Sequence, residues 1–335
     1  MTVPTVKIVL CESEPFLPVF IDIVQKAIPR SLIYGISKEV VLQEKPITLV
    51  PAQMKDATVL VTVPVALKEL AQHMPQLKWA YSTWAGVDTL FYPSRKFDRP
   101  PQFQLTKCSG FFGRLMSEWA IGQIISWERK FLLYNEWQRQ KHWRTHGAYY
   151  RSLADLSIGI LGMGDIGSQV AKACKAFGMK VWGLVRRESS IGRCQYVDEY
   201  RKLDGLEDIL RSCDYICAVL PRTDATDGLL ENERLKHCAQ KKTIFMNAGR
   251  SNIISEDSIL KAIDNEWIGG AILDVFDQEP LPPSSKLWSH PKIVISQHDS
   301  AMSLPTETAK CFLDNLHLFL ANKPLMHRVN FESMY

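Results

Sequence analysis

No apolar run in this chain approaches the length needed to cross a bilayer, and its first residues, Met1-Thr2-Val3-Pro4-Thr5-Val6-Lys7, lack the basic and apolar regions of a secretory signal. Both absences predict a cytoplasmic protein with no membrane partner. Charge of one sign is also scarce: 40 Lys and Arg against 36 Asp and Glu leave +4, too little and too dispersed to argue for nucleic acid. The eight cysteines (Cys11, Cys108, Cys174, Cys194, Cys213, Cys217, Cys238, Cys311) show no paired metal spacing, which excludes a sequence-evident metal centre and reads as reduced thiols. Repeats and low-complexity segments are missing too. What remains is globular: 335 residues, 46% hydrophobic and 23% charged, longer than one core supports, so about two domains are expected.

Near the middle stands Gly162-Met163-Gly164-Asp165-Ile166-Gly167. Glycines alone are a weak signal, so the flanks decide. Leu156 to Leu161 is a short apolar run suited to a buried parallel strand, and Ile166, Val170, Ala171, Ala173, Cys174 and Phe177 recur at helical spacing. Strand, glycine turn and helix in this order let backbone N–H groups and the positive helix end approach a pyrophosphate, so Gly162, Gly164, Asp165, Ile166 and Gly167 read as cofactor-binding. The second strand, Lys180 to Val185, ends without the acid that binds a ribose 2′-hydroxyl about 20 residues beyond such a loop. Val185 stands near that place, and Arg186-Arg187 follow with guanidiniums suited to a 2′-phosphate. NADP(H) is therefore the expected cofactor, with NAD(H) the other candidate.

Strand and helix patterns alternate along the whole chain, which predicts parallel sheets. Lys7–Leu10, Ile47–Val50, Thr58–Val63 and Leu77–Ser82 read as strands, with helical stretches at Leu17–Ala27 and Val65–His73. A long helical pattern runs from Gly113 to Leu133. After the glycine loop, Asp214–Leu220, Thr243–Asn247, Gly270–Phe276 and Lys292–Ser296 read as strands, Ser255–Trp267 as a helix capped by Ser255, and Pro305–Ala321 as a last helix.

Open α/β sheets bind ligands beyond the carboxyl ends of their strands. Arg250, Glu279 and His298 follow three successive strands there. A guanidinium can pair with a substrate carboxylate, an imidazole can give a proton to a ketone oxygen, and a carboxylate can hold the imidazole charged. Together they suit reduction of a 2-keto acid.

With Trp84-Ala85-Gly86-Val87-Asp88, the glycine loop, Leu220-Pro221-Arg222-Thr223, Asn247-Ala248-Gly249-Arg250, Leu273-Asp274-Val275-Phe276-Asp277-Gln278-Glu279-Pro280 and His298 in this order, the chain resembles the D-isomer-specific 2-hydroxyacid dehydrogenase family over nearly its whole length. Within it, Trp84 and the arginine-ended second strand look most like glyoxylate/hydroxypyruvate reductases, a subgroup that prefers NADPH. The resemblance implies two doubly wound α/β domains: a Rossmann-type cofactor domain, 113–304, inserted into a flavodoxin-like substrate domain, 1–112 with 305–335. It implies a catalytic cleft between the domains, with Arg250, Glu279 and His298 as catalytic residues and Arg250 and His298 also touching substrate. It assigns Trp84, Ala85, Gly86 and Val87 to the substrate carboxylate loop, and groups Leu220, Pro221, Thr223, Ala248, Asp274 and Ser300 with the cofactor contacts. It also implies a homodimer, for which the helix after Gly113 and the aromatic arm 137–150 are the candidate surface.

The chain departs from the family pattern at Gln297 and Asp299 on either side of His298, at Ser251 after Arg250, and at Arg222. A carboxylate at Asp299 is expected either to raise the proton affinity of the imidazole or to tighten the pocket. Two alternatives to the reductase carry weight in the sequence. A dinucleotide-sensing scaffold like the corepressors of this fold would keep the site without turnover. A formate-type dehydrogenase would pair its His with Gln, against which Glu279 argues.

Overall fold

In the computed structural model, residues 6–43, 52–91, 97, 100–144, 146 and 149–331 are described. The chain divides into two compact units, 1–111 with 303–335, and 112–302.

The first unit is built on β1 (Lys7–Glu12), β2 (Leu32–Ser37), β3 (Val59–Thr62), β4 (Trp79–Ser82) and β5 (Gln104–Lys107), all parallel, in the order β2-β1-β3-β4-β5. That order is the flavodoxin-like doubly wound pattern. Between the strands run α1 (Phe16–Ala27), α2 (Lys38–Gln43) and α3 (Pro64–Ala71). Phe16, Phe20 and Val24, one helical turn apart, form the buried stripe of α1. The strand expected at Ile47–Val50 lies outside the described residues. The strand β2 was not foreseen, because it is an edge strand, largely solvent-facing and interrupted by Gly35, and so lacks a buried apolar run.

The second unit contains α4 (Phe112–Glu128), α5 (Phe131–Arg139), β6 (Ser157–Leu161), α6 (Asp165–Ala176), β7 (Lys180–Leu184), β8 (Glu199–Arg201), α7 (Leu206–Ser212), β9 (Tyr215–Ala218), β10 (Thr243–Asn247), α8 (Glu256–Asp264), β11 (Ile268–Leu273) and β12 (Ile293–Ile295). Its strands form one parallel sheet in the order β12-β11-β10-β9-β6-β7-β8, a Rossmann arrangement whose order reverses at β6. Leu161 pairs with Leu184 on one side and Ala218 on the other; Ala218 pairs with Asn247, Asn247 with Leu273, and Leu273 with Ile295. Six strands thus end in one row. The chain then rejoins the first unit as α9 (Pro305–Leu320), whose Phe312 ring stacks on Trp79 at 5.1 Å and meets Phe20 at 5.4 Å. No helix among the described residues is long and apolar enough to cross a membrane.

The single helix expected from Gly113 to Leu133 is broken. Lys130 takes the left-handed conformation (φ 56°), and Phe131, Leu132 and Leu133 beyond it are exposed. Just before the break, Glu128 in the last turn of α4 is buried to 2% exposure and accepts from the Tyr215 hydroxyl at 2.7 Å and Arg151 Nη2 at 2.6 Å. Arg151 Nη1 also donates to Asp214 Oδ1 at 3.2 Å, while Asp214 Oδ2 accepts from the Ser157 amide at 3.0 Å and hydroxyl at 2.7 Å. This cluster ties the amino ends of β6 and β9 to α4. Arg151→Met leaves the buried Glu128 carboxylate without a cation, while Asp214 keeps Ser157 and Lys241, and should lower the stability of the second unit by about 3 kcal/mol, read from urea unfolding.

Candidate active site

The glycine loop follows β6 at the point where the strand order reverses. Gly162 has φ 110°, a conformation open to glycine, and a side chain on Gly167 would run into the Gly162 carbonyl oxygen. The two glycines let α6 start against the end of β6. Gly164 caps α6, and the space where its side chain would stand is open, so the amino end of the helix presents N–H groups to solvent beside Asp165 and Ile166. These residues fit a dinucleotide pyrophosphate. On the next strand, β7 ends at Leu184, the Val185 amide donates to the Arg201 carbonyl at 2.9 Å, and Arg186 and Arg187 follow fully at the surface. On the other side, the segment after β9 is locked by Thr226, whose hydroxyl donates to the Pro221 carbonyl at 2.7 Å and accepts from the Thr223 amide at 2.9 Å. Leu220, Pro221 and Thr223 therefore hold a fixed loop beside the glycine turn.

Three further strand ends carry the reactive side chains. After β10, Asn247 ties the turn through Ala248, its side chain accepting from the Gly249 amide at 3.1 Å and donating to the Arg250 carbonyl at 3.0 Å. Arg250 Nη1 donates to the Gly249 carbonyl at 2.8 Å. After β11, Glu279 accepts from the Phe276 amide through Oε1 at 3.0 Å and meets His298 Nδ1 through Oε2 at 2.7 Å. The Nδ1 atom faces the carboxylate, so Nε2 is the atom left to exchange a proton with a ligand. His298 itself follows β12 with a left-handed backbone, φ 56°, which an ordinary side chain adopts only when its surroundings hold it there.

Asp274 is what holds it. Fully buried at the end of β11, it accepts from the Ser296 hydroxyl at 2.6 Å and the Asp299 amide at 3.1 Å through Oδ1, and from the Ser300 amide at 3.1 Å through Oδ2. One carboxylate thus grips the chain on both sides of His298. Ser296 in turn accepts from Trp119 Nε1 on α4 at 3.2 Å. Neither Ser296 nor Trp119 was foreseen. Ser296 stands two residues before His298, a signal that was available, whereas nothing in the sequence links Trp119 to a segment 177 residues away.

Electrostatics follow the contacts. The hydrogen bond from Glu279 raises the proton affinity of His298 above the ordinary histidine value; burial opposes it, the Glu279 charge adds to it, Arg250 opposes and Asp274 adds. Burial alone would push Glu279 up, but its bonds with His298 and the Phe276 amide, with the charges of His298 and Arg250, leave it below the usual carboxylate range. Both shifts favour the same charge state, a carboxylate beside an imidazolium. The Asp299 backbone N–H donates to Asp274.

All the residues expected at strand ends of the second unit, from Gly162 to Ser300, stand beyond the same row of carboxyl ends. Trp84, Ala85, Gly86 and Val87 belong to the first unit, after β4. There Val87 is buried, Trp84 packs against the core of that unit, and the Trp84 amide donates to Ser82 Oγ at 3.2 Å.

A model of the D-isomer specific 2-hydroxyacid dehydrogenase family, NAD binding domain, matches residues 121–300. Among solved structures, a D-isomer specific 2-hydroxyacid dehydrogenase family protein from Aeromonas salmonicida subsp. salmonicida A449 is 33% identical, with 98% of this chain and 100% of that one covered and a TM-score of 0.85. An NADPH-dependent glyoxylate/hydroxypyruvate reductase from Sinorhizobium meliloti, solved with NADP and sulfate, is 26% identical over 99% of this chain and 100% of that one, with a TM-score of 0.81. A D-isomer specific 2-hydroxyacid dehydrogenase from Xanthobacter autotrophicus Py2, solved with NADPH and MES, shares the fold at 23% identity, 99% and 100% coverage and a TM-score of 0.85.

The ion pair sets a pH window. His298, raised in the folded protein, contributes stability that is complete below about pH 6.5 and fades as pH rises through its folded pKa; Glu279, lowered, contributes above about pH 4.3 and fades as pH falls through its own. NMR titration of the His298 ring should give a pKa above that of free histidine, and Glu279→Gln should move it down. Ser296→Ala should shift the same resonance and Ser296→Thr restore it; a His298 titration indifferent to both positions would remove the pair and its support.

Proposed function

Because the chain belongs to the D-isomer specific 2-hydroxyacid dehydrogenase family, we propose that it acts as an NADPH-preferring reductase of small 2-keto acids such as glyoxylate or hydroxypyruvate. Membership makes it an NAD(P)-dependent dehydrogenase. The observation that carries the reading is the 2.7 Å pair of His298 and Glu279 on strand ends neighbouring that of Arg250.

When bound, the reduced nicotinamide supplies the hydride. The residues of the chain do the rest. Arg250 pairs with the substrate carboxylate and draws electron density from the ketone. The imidazolium of His298 gives the Nε2 proton to the carbonyl oxygen as the alcohol forms, and takes it back in oxidation. Glu279 keeps the ring oriented and charged throughout. Following the family resemblance, Ala85, Gly86 and Val87 are assigned to the substrate carboxylate; Trp84, in the same turn, is assigned to limiting substrate size. Gly162, Gly164, Asp165, Ile166 and Gly167 receive the pyrophosphate, and Leu220, Pro221, Thr223, Ala248 and Ser300 complete the cofactor contacts; Asp274, expected among them, is fully buried and acts instead by holding the Ser300 amide. Two observations support NADPH: no carboxylate stands at Val185, and the exposed Arg186 and Arg187 follow it. The Sinorhizobium reductase, which binds NADP, supports both the cofactor and the substrate class. A homodimer belongs to the same reading, supported by exposed Phe131, Leu132, Tyr134, Trp143 and Tyr149.

Steady-state reduction of a panel of 2-keto acids with NADPH and NADH tests the whole reading; no turnover with any acid would favour a dinucleotide-sensing scaffold. Arg250→Ala should abolish reduction with NADPH affinity nearly intact. His298→Ala should lose about 10²-fold or more in kcat. In the wild type, kcat/KM for reduction should be flat at low pH and fall as His298 deprotonates, above about pH 6.5. Replacing Arg186 and Arg187 by Ala should raise Kd for NADPH far more than for NADH; equal losses would refute the phosphate assignment. Sedimentation as a monomer at micromolar concentration would remove the dimer.

A further inference from the structure

Cys108 and Cys311 are free thiols brought together in the first unit from distant parts of the chain. Cys108 directly follows β5 and is fully buried; Cys311 lies on α9, half-buried. Two contacts join their segments. The Cys311 thiol donates to the Ser109 carbonyl at 3.2 Å, and the Cys108 thiol donates to Thr308 Oγ1 at 3.9 Å. Thr308 and Cys311 are three residues apart and share a helix face, so these crossing contacts draw both sulfurs to one spot. The neighbouring Cys311 thiol, with burial, pushes Cys108 up, and the Cys108 thiol in turn draws Cys311 down against burial and the nearby acids Asp314 and Glu307. Elsewhere, burial pushes Cys11, Cys217 and Cys238 up to about 12, and raises Cys174 and Cys213 as well, which leaves them unreactive.

We propose that Cys108 and Cys311 form a reversible redox pair toward peroxides, with Cys311 as the attacking thiol and Cys108 as the resolving one. The Cys311 thiolate attacks one peroxide oxygen; the O–O bond breaks, hydroxide leaves and takes up a proton, and a sulfenic acid remains. The Cys108 sulfur then attacks the Cys311 sulfur, the S–O bond breaks, and the hydroxide released takes the Cys108 proton as water. Overall, two thiols are oxidised to a disulfide while one hydrogen peroxide is reduced to two waters. The entire second unit lies between the two cysteines in sequence. The disulfide therefore closes a covalent ring that contains it.

The full-length protein, reduced and then exposed to hydrogen peroxide, should yield on non-reducing digestion a cross-linked peptide pair containing Cys108 and Cys311 that dithiothreitol separates. Loss of alkylation at Cys311 should outpace that at Cys194, the other half-buried thiol, by about tenfold. Cys108→Ser should leave a sulfenic acid on Cys311 that dimedone captures, and Cys311→Ser should leave Cys108 reduced. Oxidation of wild-type Cys311 to sulfinic acid with no cross-link, or cross-linking no faster than oxidation of Cys194, would overturn the proposal. The wild-type digest decides this even where a serine variant fails to fold.

Discussion

The hydrogen-bonded ladders that align Leu184, Leu161, Ala218, Asn247, Leu273 and Ile295 also decide where each strand of the second unit releases its chain. Because side chains alternate along a strand, slipping any ladder by one residue would turn that strand over and carry its trailing segment out of line. Parallel strands make the alignment productive, since every chain leaves on the same edge. The glycine turn, the arginine pair, the Pro221 loop, Arg250, Glu279 and His298 are all consequences of that edge. None could be moved to another part of the fold without losing its neighbours.

Alignment brings the segments near one another; it does not fix their side chains. That task falls to buried polar groups. Asp274 has no exposed surface and would be costly to bury alone, but three donors, the Ser296 hydroxyl and the Asp299 and Ser300 amides, satisfy it. In doing so they impose the left-handed turn at His298 that its sequence alone would not adopt. At the opposite edge of the sheet, Glu128, Arg151 and Asp214 play the equivalent part for the amino ends of β6 and β9. The unit is clamped at both ends by carboxylates whose partners come from distant segments.

These two layers were unequally legible. The interior strands β6, β10 and β11 are buried along nearly their whole length and announce themselves as apolar runs, so the residues that follow them were found by counting forward. Val185 and the arginines were legible because an expected carboxylate was missing at a position the glycine loop defines. Edge strands β2 and β8 were not, since solvent lets their side chains be mixed. The break after Glu128 escaped because the apolar pattern continues through it. Trp119 escaped because a hydrogen bond between remote segments leaves no local periodicity, whereas Ser296 could have been sought two residues before His298.

Trp119 gives this arrangement an optical consequence. Its indole N–H ends on the hydroxyl that supports Asp274, so the chromophore sits three hydrogen bonds from the amides that follow His298. Indole emission responds to the polarity and hydrogen bonding of that nitrogen. A change in how the chain grips its histidine therefore reaches this one indole among the nine of the chain, and substitution of Trp119 would separate its emission from the rest.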